Sequence, residues 1–304
     1  MPSVISVHGL RKTYGTLVAV DDLSFDVAQG EVFGMVGPNG AGKTTTIECI
    51  EGLRKPDEGS VRLLGMDPSQ ERLAVADRIG IQLQESSLPP RLRVMEALNL
   101  FASFYERRAD AGRLLDELGL TEKAKSPIAK LSGGQRQRLF IALALINQPD
   151  VVFFDELTTG LDPQARRAMW DLVRRIRERG STVFLTTHYM EEAERLCDRV
   201  LIMDHGQIVA FDTPETMIRS LGAEHRLVFT LPDSQTAPAL TDLPQVQRVE
   251  QLGDRVVVYG QGERFSSSVL DALEDAEIGF MDLRTEQPNL EDVFLSLTGR
   301  EIRE

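Results

Sequence analysis

Apolar and polar positions in the first two thirds of the chain follow two alternating patterns. Short, almost wholly apolar runs predict buried strands, and longer runs with apolar positions every three or four residues predict amphipathic helices. Strands that alternate with helices are typical of an α/β domain with a mostly parallel sheet. The predicted strands cover residues 31–37, 78–84, 150–156 and 181–188, with a hairpin over 199–211 that turns at Asp204–Gly206.

Residues 88–130 follow a different pattern, in which amphipathic helical segments succeed one another without a strand. We interpret them, with the start of the next helix, as a helical subdomain over about 88–140. The apolar run Leu139–Ile146 predicts a buried helix, because a membrane span needs roughly 18 apolar residues. The N-terminal segment lacks the apolar core of a signal peptide, so we expect no segment that crosses a membrane.

The charge of the chain changes near residue 222. The net charge is −13, and residues 222–304 carry −9 of it, with seven arginines and no lysine. Such a shift marks a domain boundary, which predicts one domain over 1–221 and a small acidic domain over 222–304. The pattern of the second domain predicts strands at 226–231, 246–251, 254–260 and 278–286, a short helix after the first strand, and helices at 264–276 and 290–297. This α+β order is compatible with a ferredoxin-like unit.

The composition excludes several classes of function. An acidic chain lacks the basic face that binds nucleic-acid phosphates, so we expect no nucleic-acid partner. Cys49 and Cys197 are the only cysteines, too few for a disulfide framework or a zinc site. Their scarcity is typical of a reducing, cytoplasmic compartment.

The segment GPNGAGKTT has the form G-x-x-x-x-G-K-[ST] between a predicted strand and a predicted helix. Its glycines let backbone N–H groups face a phosphate, and the helix N-terminus adds partial positive charge. Lys43 is predicted to reach the β- and γ-phosphates and Thr44 to bind Mg²⁺. Tyr14 is compatible both with stacking on the base and with a surface turn. The predicted ATP or GTP site therefore includes Gly37, Pro38, Asn39, Gly40, Ala41, Gly42, Lys43, Thr44 and Thr45.

Polar residues stand at the ends of three other predicted strands, where open parallel sheets bind their ligands. Asp155 is predicted to hold Mg²⁺, and Glu156 to act as the general base for an attacking water. His188 is a candidate for contact with the γ-phosphate or that water. Gln82 and Gln84 lie on one face of a third strand, so spacing alone leaves open which of them binds Mg²⁺ or water.

A second glycine-rich turn occurs in LSGGQRQRL. Ser132 and Gln135 have the spacing of a capping box, so the turn can simply begin a helix. A plain cap does not need Gly133 and Gly134, each of which costs up to about 1 kcal/mol relative to alanine in a helix. Bare N–H groups and a hydroxyl at a helix N-terminus suit a phosphate. Because the segment lacks a lysine and neighbouring metal ligands, it can form only part of a nucleotide site.

Together these segments resemble the ATP-binding-cassette (ABC) ATPases over roughly residues 4–221. The matching segments, in the order of that family, are GPNGAGKTT, LQESSLPPRLRV, LSGGQRQRL, VVFFDELTTGLDP and TTHYMEEAERLCDRV. The resemblance implies a P-loop NTPase of ABC cassette fold, with a RecA-like mixed sheet and a helical subdomain. It also implies Mg²⁺-dependent ATP hydrolysis.

The resemblance further implies a head-to-tail dimer, either a homodimer or a pair with another ABC subunit. It selects Gln84 as the catalytic and metal-binding glutamine, Tyr14 as the adenine-stacking residue, His188 as the switch histidine and Asp162 as the D-loop acid. The helical subdomain would then couple ATP to a membrane partner near Gln84. Each ATP would lie between the phosphate loop of one chain and the signature residues of the other, which are Ser132, Gly133, Gly134 and Gln135.

Two features refine the resemblance. Leu157 stands where the family commonly has proline, but the two preceding acids are intact, so we expect the chemistry to be retained. The C-terminal LEDVFLSLTGR resembles the extension of the drug- and sodium-exporter (daunorubicin-resistance-like) branch. We therefore expect an exporter ATPase held at the cytoplasmic side of the membrane by a separate integral permease.

Two alternatives are a non-transport ABC ATPase that clamps nucleic acid or the ribosome, and a P-loop kinase. The single cassette, the absence of sustained heptads and the acidic charge disfavour a clamp. A kinase would need an acceptor site, and it leaves the second glycine turn unexplained.

Overall fold

A computed structural model describes residues 2–82, 88–221, 225–232, 240–262 and 264–298 of the chain. The chain divides into two compact units, the first running to Pro214 and the second beginning at Glu215. This division lies before the boundary near residue 222 that the charge predicts. None of the described helices is long and apolar enough to cross a membrane.

The first unit contains both sheets and helices. Its strands within the described residues are β1 (Ser3–Tyr14), β2 (Leu17–Ala28), β3 (Val32–Val36), β4 (Glu58–Leu63), β5 (Ile79–Gln82), β6 (Val151–Asp155), β7 (Thr182–Thr187), β8 (Arg199–Asp204) and β9 (Gln207–Asp212). Its helices there are α1 (Lys43–Ile50), α2 (Arg72–Ala76), α3 (Val94–Ala102), α4 (Ala111–Glu117), α5 (Gly133–Leu145), α6 (Pro163–Glu178) and α7 (Met190–Leu196).

A six-stranded mixed sheet forms the centre of this unit, in the order β5-β6-β7-β3-β8-β9. All neighbouring pairs are parallel except β8 and β9, which form the predicted hairpin. Strands β3, β6 and β7 are buried at every position, as expected for parallel strands covered on both faces. His205 and Gly206 form the hairpin turn with positive φ, the conformation that a tight two-residue turn requires.

The three-stranded antiparallel sheet β2-β1-β4 was missed by the sequence prediction. Its buried residues alternate only in part, because Gly9 and Asp22 have positive φ and the pairing register of β1 and β2 shifts near them. Such bulges interrupt the period of two that identifies a strand. Tyr14, which the sequence leaves compatible with a surface turn, is the last residue of β1.

The helical region is less continuous than its sequence pattern predicts. Helix α3 ends at Ala102, and the Ser103 hydroxyl after it donates to the Leu100 carbonyl. Helix α4 begins only after Asp110, whose carboxylate accepts the Arg113 N–H. Two short 3-10 turns, Thr121–Lys123 and Ile128–Lys130, then lead to α5.

The second unit contains a four-stranded antiparallel sheet in the order β11-β12-β10-β13. Its described elements are α8 (Pro214–Ser220), β10 (His225–Thr230), β11 (Val246–Leu252), β12 (Arg255–Gly260), α9 (Phe265–Asp275), β13 (Met281–Glu286) and α10 (Leu290–Thr298).

This strand order is the ferredoxin-like one, in which the first strand lies between the third and the fourth. In place of the predicted first helix, the described part of that connection holds only the 3-10 turn Leu240–Asp242. Leu227, Phe229 and Val258 of the sheet share a buried apolar cluster with Phe265 of α9. The Asn289 side chain accepts the Asp292 N–H at 3.1 Å and so caps the start of the last helix.

Candidate functional site

The candidate site is a cleft of about 810 Å³ at the carboxyl ends of the parallel strands β3, β6 and β7. Side chains from the phosphate loop, from the ends of β6 and β7 and from the β1–β2 turn meet there. The lining residues are Tyr14, Leu17, Val18, Ala19, Asn39, Gly40, Gly42, Lys43, Thr44, Thr45, Glu156, Thr159, His188, Tyr189 and His205. The sheet order explains the meeting, because β7 lies between β3 and β6.

The phosphate loop depends on two of its glycines. A Cβ on Gly37 would lie 2.1 Å from the Met203 carbonyl oxygen, which leaves no space for a side chain. Gly42 caps α1 with φ of 103°, and a Cβ there would lie 2.3 Å from the Ala19 carbonyl oxygen. The fold of the chain itself therefore demands glycine at both positions.

Lys43 lies inside the phosphate loop and is only 5% exposed. Its ammonium group donates to the carbonyl oxygens of Gly37 at 2.8 Å and Pro38 at 3.0 Å. Burial lowers the pKa of Lys43, and the nearby carboxyl groups of Glu156 and Asp155 oppose that shift. The loop thus holds a cationic donor beside backbone groups suited to phosphate.

Asp155 ends β6 and lies beside the start of α1. The Thr44 hydroxyl oxygen is 3.4 Å from Asp155 Oδ2, and the Thr186 hydroxyl donates to Asp155 Oδ1. Burial raises the pKa of Asp155, and the Thr186 hydrogen bond opposes the rise. A buried carboxylate and a hydroxyl facing one phosphate loop are hard oxygen donors of the kind that Mg²⁺ binds.

Glu156 and His188 lie in contact with each other in the lining of the cleft. Glu156 has φ of 51°, which is uncommon for a residue other than glycine. Its N–H donates to the carbonyl oxygen of Thr186 at 3.1 Å, so the neighbouring strand stabilises this conformation. Glu156 Oε1 lies 3.5 Å from His188 Nδ1, and its Oε2 accepts from Thr159 at 3.3 Å. The pair can orient and deprotonate a water molecule.

Tyr14 also lines the cleft and is 40% exposed. The guanidinium of Arg54 lies 5.2 Å from the centre of its ring, and the ammonium of Lys12 lies 5.9 Å away. The exposed side chains of Leu17 and Val18 line the same part of the cleft. Together they provide an aromatic and apolar surface suited to a nucleotide base.

The second glycine turn is a complete helix cap. The Ser132 hydroxyl accepts the Gln135 N–H at 3.3 Å, and Gln135 Oε1 accepts the Ser132 N–H at 3.1 Å. A Cβ on Gly133 or Gly134 would meet nothing within 4 Å. None of the residues Ser132–Gln135 is among those that line the cleft. The turn therefore faces open space and lies apart from the phosphate loop of its own chain.

Comparison with known proteins decides the family. The family model described as ABC transporter matches residues 20–159. The Nod factor export ATP-binding protein I of Ralstonia nicotianae is 40% identical over 310 residues, which cover 99% of this chain and 95% of that protein. The protein of the same name from Sinorhizobium fredii is 40% identical over 311 residues, which cover 99% of this chain and 87% of that protein. The chain belongs to the ATP-binding subunits of ABC transporters.

Solved ABC structures have the same fold. An ATP-binding subunit of an ABC transporter matches with a TM-score of 0.66 and 29% identity, over 72% of this chain and 94% of that chain. A dimeric ABC cassette in a post-hydrolysis state, bound to ADP and Pi, matches with a TM-score of 0.63 and 27% identity. That match covers 69% of this chain and 98% of that one. As a member of the ABC ATPases, the chain binds and hydrolyses ATP.

Three residues discussed with the ABC resemblance remain, namely Gln84, Asp162 and Leu157. Gln84 lies outside the described residues, whereas the buried Gln82 ends β5. Asp162 caps α6 by accepting the Ala165 N–H at 2.9 Å. Leu157, where ABC ATPases commonly have proline, is buried, and its carbonyl accepts from Gln137 of α5 at 2.9 Å.

Sequence reasoning missed residues that hold the ABC site together. Thr186 binds both Asp155 and the N–H of Glu156, yet it was not singled out. Its position two residues before His188 on a predicted strand was an available signal, since alternate strand residues share a face. Thr159 and Tyr189 carried no such signal, because they follow the strand ends in irregular segments.

Proposed function

We propose that this ABC ATPase powers export through a separate integral membrane permease and is held by it at the cytoplasmic face of the membrane. The observation that carries the proposal is the 40% identity, over 99% of the chain, with proteins named for Nod factor export. Nod factor is the cargo named for those relatives. The proposal for this chain concerns export and its energy source.

In the proposed reaction Glu156 is the general base. Its carboxylate faces the cleft, where it can orient the attacking water and accept a proton from it. His188 would hold the γ-phosphate or that water. Lys43 would transfer its two hydrogen bonds from loop carbonyls to phosphate oxygens, where charge develops in the transition state.

Thr44 and Asp155 fit a divalent cation, because their oxygen atoms lie 3.4 Å apart beside the phosphate loop. Mg²⁺ favours such oxygen ligands together with phosphate oxygens and water. We assign these two residues to hold Mg²⁺ directly or through water, with Gln84 as a neutral ligand chosen by the family resemblance. The bound ion would neutralise phosphate charge.

The second glycine turn is proposed to serve the ATP of a partner subunit, either a second copy or another ABC subunit. Gly133 and Gly134 are not required by contacts within their own chain, since a Cβ on either would meet open space. A partner phosphate approaching the helix N-terminus would require bare backbone N–H groups there. The dimeric state of a solved ABC cassette supports this arrangement. Asp162 would lie at the same interface.

An apolar groove supports the proposed contact with the permease. It has a volume of about 460 Å³, and its lining includes Leu53, Phe101, Tyr105 and Phe140. Gln82 and Leu88 also line it, and in the sequence these two residues flank the segment that contains Gln84. Exposed apolar surface of this kind marks interaction sites. We assign it to a cytoplasmic segment of the permease.

The catalytic assignment is tested with Glu156→Gln. We expect ATP affinity to be retained and the ATPase rate to fall on the order of 10²–10³-fold, since the amide cannot accept the proton. A closed ATP-bound dimer should accumulate and elute early in size exclusion. The matched control is Glu122→Gln, which changes an exposed acid away from the cleft. Rapid turnover in Glu156→Gln, or a monomer with ATP bound, would contradict the proposal.

The transport assignment is tested by co-expression and co-purification with a polytopic membrane protein encoded by a neighbouring gene. Leu53→Glu places a charge in the groove and should abolish co-purification while leaving ATP binding intact. Leu73→Glu is the matched control, because Leu73 is exposed on α2 and is not among the groove residues. Equal co-purification of both variants would remove the groove as the docking site.

A further inference from the structure

A buried acid on α7 connects the two helices that follow Glu156 and His188 in the chain. Glu192 is only 1% exposed. Its Oε1 accepts the indole N–H of Trp170 at 3.3 Å, which ties α7 to α6. None of the roles assigned above uses this carboxyl group. A buried ionisable group without an evident role requires an explanation, because burying it costs free energy.

Two threonines beside Glu192 belong to the catalytic strand ends. Thr158 follows Glu156 by two residues, and Thr187 directly precedes His188. Burial raises the pKa of Glu192, and the nearby Thr187, Thr158 and Trp170 groups oppose that rise. Thr187 Oγ1 also accepts the Tyr189 N–H at 3.0 Å, which leaves the hydroxyl proton of Thr187 for another acceptor.

The contacts of Glu192 vary in strength. Its Oε2 and the Thr158 hydroxyl make no hydrogen bond of ordinary geometry within the described residues. The Trp170 bond is therefore the directional contact, and the threonines contribute by proximity. We call Glu192, Trp170, Thr158 and Thr187 the Glu192 cluster.

A second contact joins the same elements at the surface of the cleft. The guanidinium of Arg166, on α6, lies 4.3 Å from the centre of the Tyr189 ring. The rings of Tyr189 and His188 are 4.1 Å apart. Helix α6, which begins next to Asp162, thus contacts the His188 segment both through the cluster and through this stack.

We propose that Glu192 is a positioning residue that holds the segment after Glu156 and the end of β7 in the register that sets the Glu156–His188 distance. Its hydrogen bond to Trp170 joins α7, which follows His188 in the chain, to α6, which follows Glu156, so its loss would loosen both segments at once. The inference rests on the proposed roles of Glu156 and His188, and it adds a residue that touches neither ATP nor water.

The test compares two substitutions at Glu192. Glu192→Ala should lower kcat on the order of 10–100-fold, because small displacements of reacting groups have effects of that size. The Kd for ATP should change less than about two-fold, since the phosphate loop and Tyr14 are untouched. Glu192→Gln keeps the shape and the Trp170 acceptor, so it should recover most of the activity. Glu191→Gln, an exposed neighbour paired with Arg195, is the control.

A double-mutant cycle separates positioning from general stability. In a His188→Ala background, Glu192→Ala should lower kcat little further, because the Glu156–His188 distance that Glu192 sets no longer contributes to the reaction. The same fold-loss in both backgrounds, or a rise in Kd for ATP that matches the loss in kcat, would overturn the proposal. If Glu192→Ala fails to fold, Trp170→Phe removes the indole donor while keeping an aromatic ring and should reproduce the kcat effect.

The results that would refute the proposed role of His188 differ from those that would refute the role of Glu192. If His188→Ala alone leaves kcat unchanged, the role of His188 is wrong, and no cycle through it can support positioning. If His188→Ala lowers kcat and the two substitutions are additive, His188 keeps its role and only the role of Glu192 is refuted.

Discussion

The chain contains two glycine-rich turns that each begin a helix, and they differ in what requires their glycines. In the phosphate loop, a Cβ on Gly37 or Gly42 would collide with carbonyl oxygens of the same chain. In the signature turn, which is the second glycine-rich turn, a Cβ on Gly133 or Gly134 would meet nothing within 4 Å. Both turns expose helix N-terminal N–H groups, but only the first is enclosed by its own fold.

This difference shows that similar sequence motifs can be required for different physical reasons. The phosphate loop is required by internal packing, and its buried Lys43 is bound to the loop itself. The signature turn is only a helix cap as far as its own chain is concerned. Glycines that are unfavourable in a helix and unnecessary to the fold indicate a constraint from outside the chain. A partner subunit is the source that we propose.

The largest expected effect comes from mixing two inactive variants. Lys43→Ala disables the phosphate loop, and Ser132→Arg disables the signature turn. If each site takes one turn from each chain, the mixed dimer has one site with both defects and one intact site. We expect each variant alone to be inactive and the mixture to regain a measurable ATPase rate. No recovery in a mixture that forms dimers would indicate that both turns act within one chain.

The two turns should respond oppositely to the same substitution. Gly42→Asp forces a side chain into a left-handed, enclosed position and should destabilise the isolated chain by about 1–3 kcal/mol. Gly134→Asp places an acid in the first turn of α5, which should stabilise the isolated chain by about 0.5–1 kcal/mol. Both should abolish ATPase activity, the second by repelling phosphate. Chemical denaturation and ATPase assays provide the check, and an active Gly134→Asp enzyme would refute a phosphate contact there.

Burial should also make the stability of the phosphate-loop side sensitive to pH. Glu51 follows α1, is 7% exposed, and has its pKa raised by burial to about 8. The unfolded chain releases this proton near pH 4.5 and the folded chain near pH 8, so stability falls as pH rises between those values. Glu51→Gln should therefore gain about 2–4 kcal/mol at pH 8 and little at pH 5. Denaturation at both pH values tests this, with exposed Glu58→Gln as control; an equal gain at both values would contradict it.

The smallest expected effect concerns binding of the adenine base of ATP. Tyr14→Ala removes the aromatic surface in the cleft and should raise the Kd for ATP about 5–10-fold, the size of one stacking contact. Tyr14→Phe should bind ATP normally. An unchanged Kd in Tyr14→Ala, measured by calorimetry, would show that Tyr14 is only a surface residue and that the phosphate loop alone determines affinity.

Much of the fold could be predicted from the sequence, and the exceptions have identifiable causes. The parallel strands were recognised because they are wholly apolar and end in polar residues, as with Val151–Asp155. The antiparallel sheet was missed because bulges at Gly9 and Asp22 interrupt its alternation. The predicted first helix of the second unit fell partly on residues 233–239, outside the described residues. The choice between Gln82 and Gln84 was decided by resemblance alone.

The sequence by itself determined the features that depend on neighbours along the chain. The spacing in GPNGAGKTT, the capping pair Ser132 and Gln135, and the adjacent acids Asp155 and Glu156 are local, since backbone geometry over a few residues specifies them. Tertiary structure alone decided which distant groups meet. Thr186 reaches Asp155 across 31 residues because β7 pairs with β6, and Glu192 reaches Trp170 because α7 packs against α6. Such contacts arise from strand order and helix packing, which no local spacing encodes.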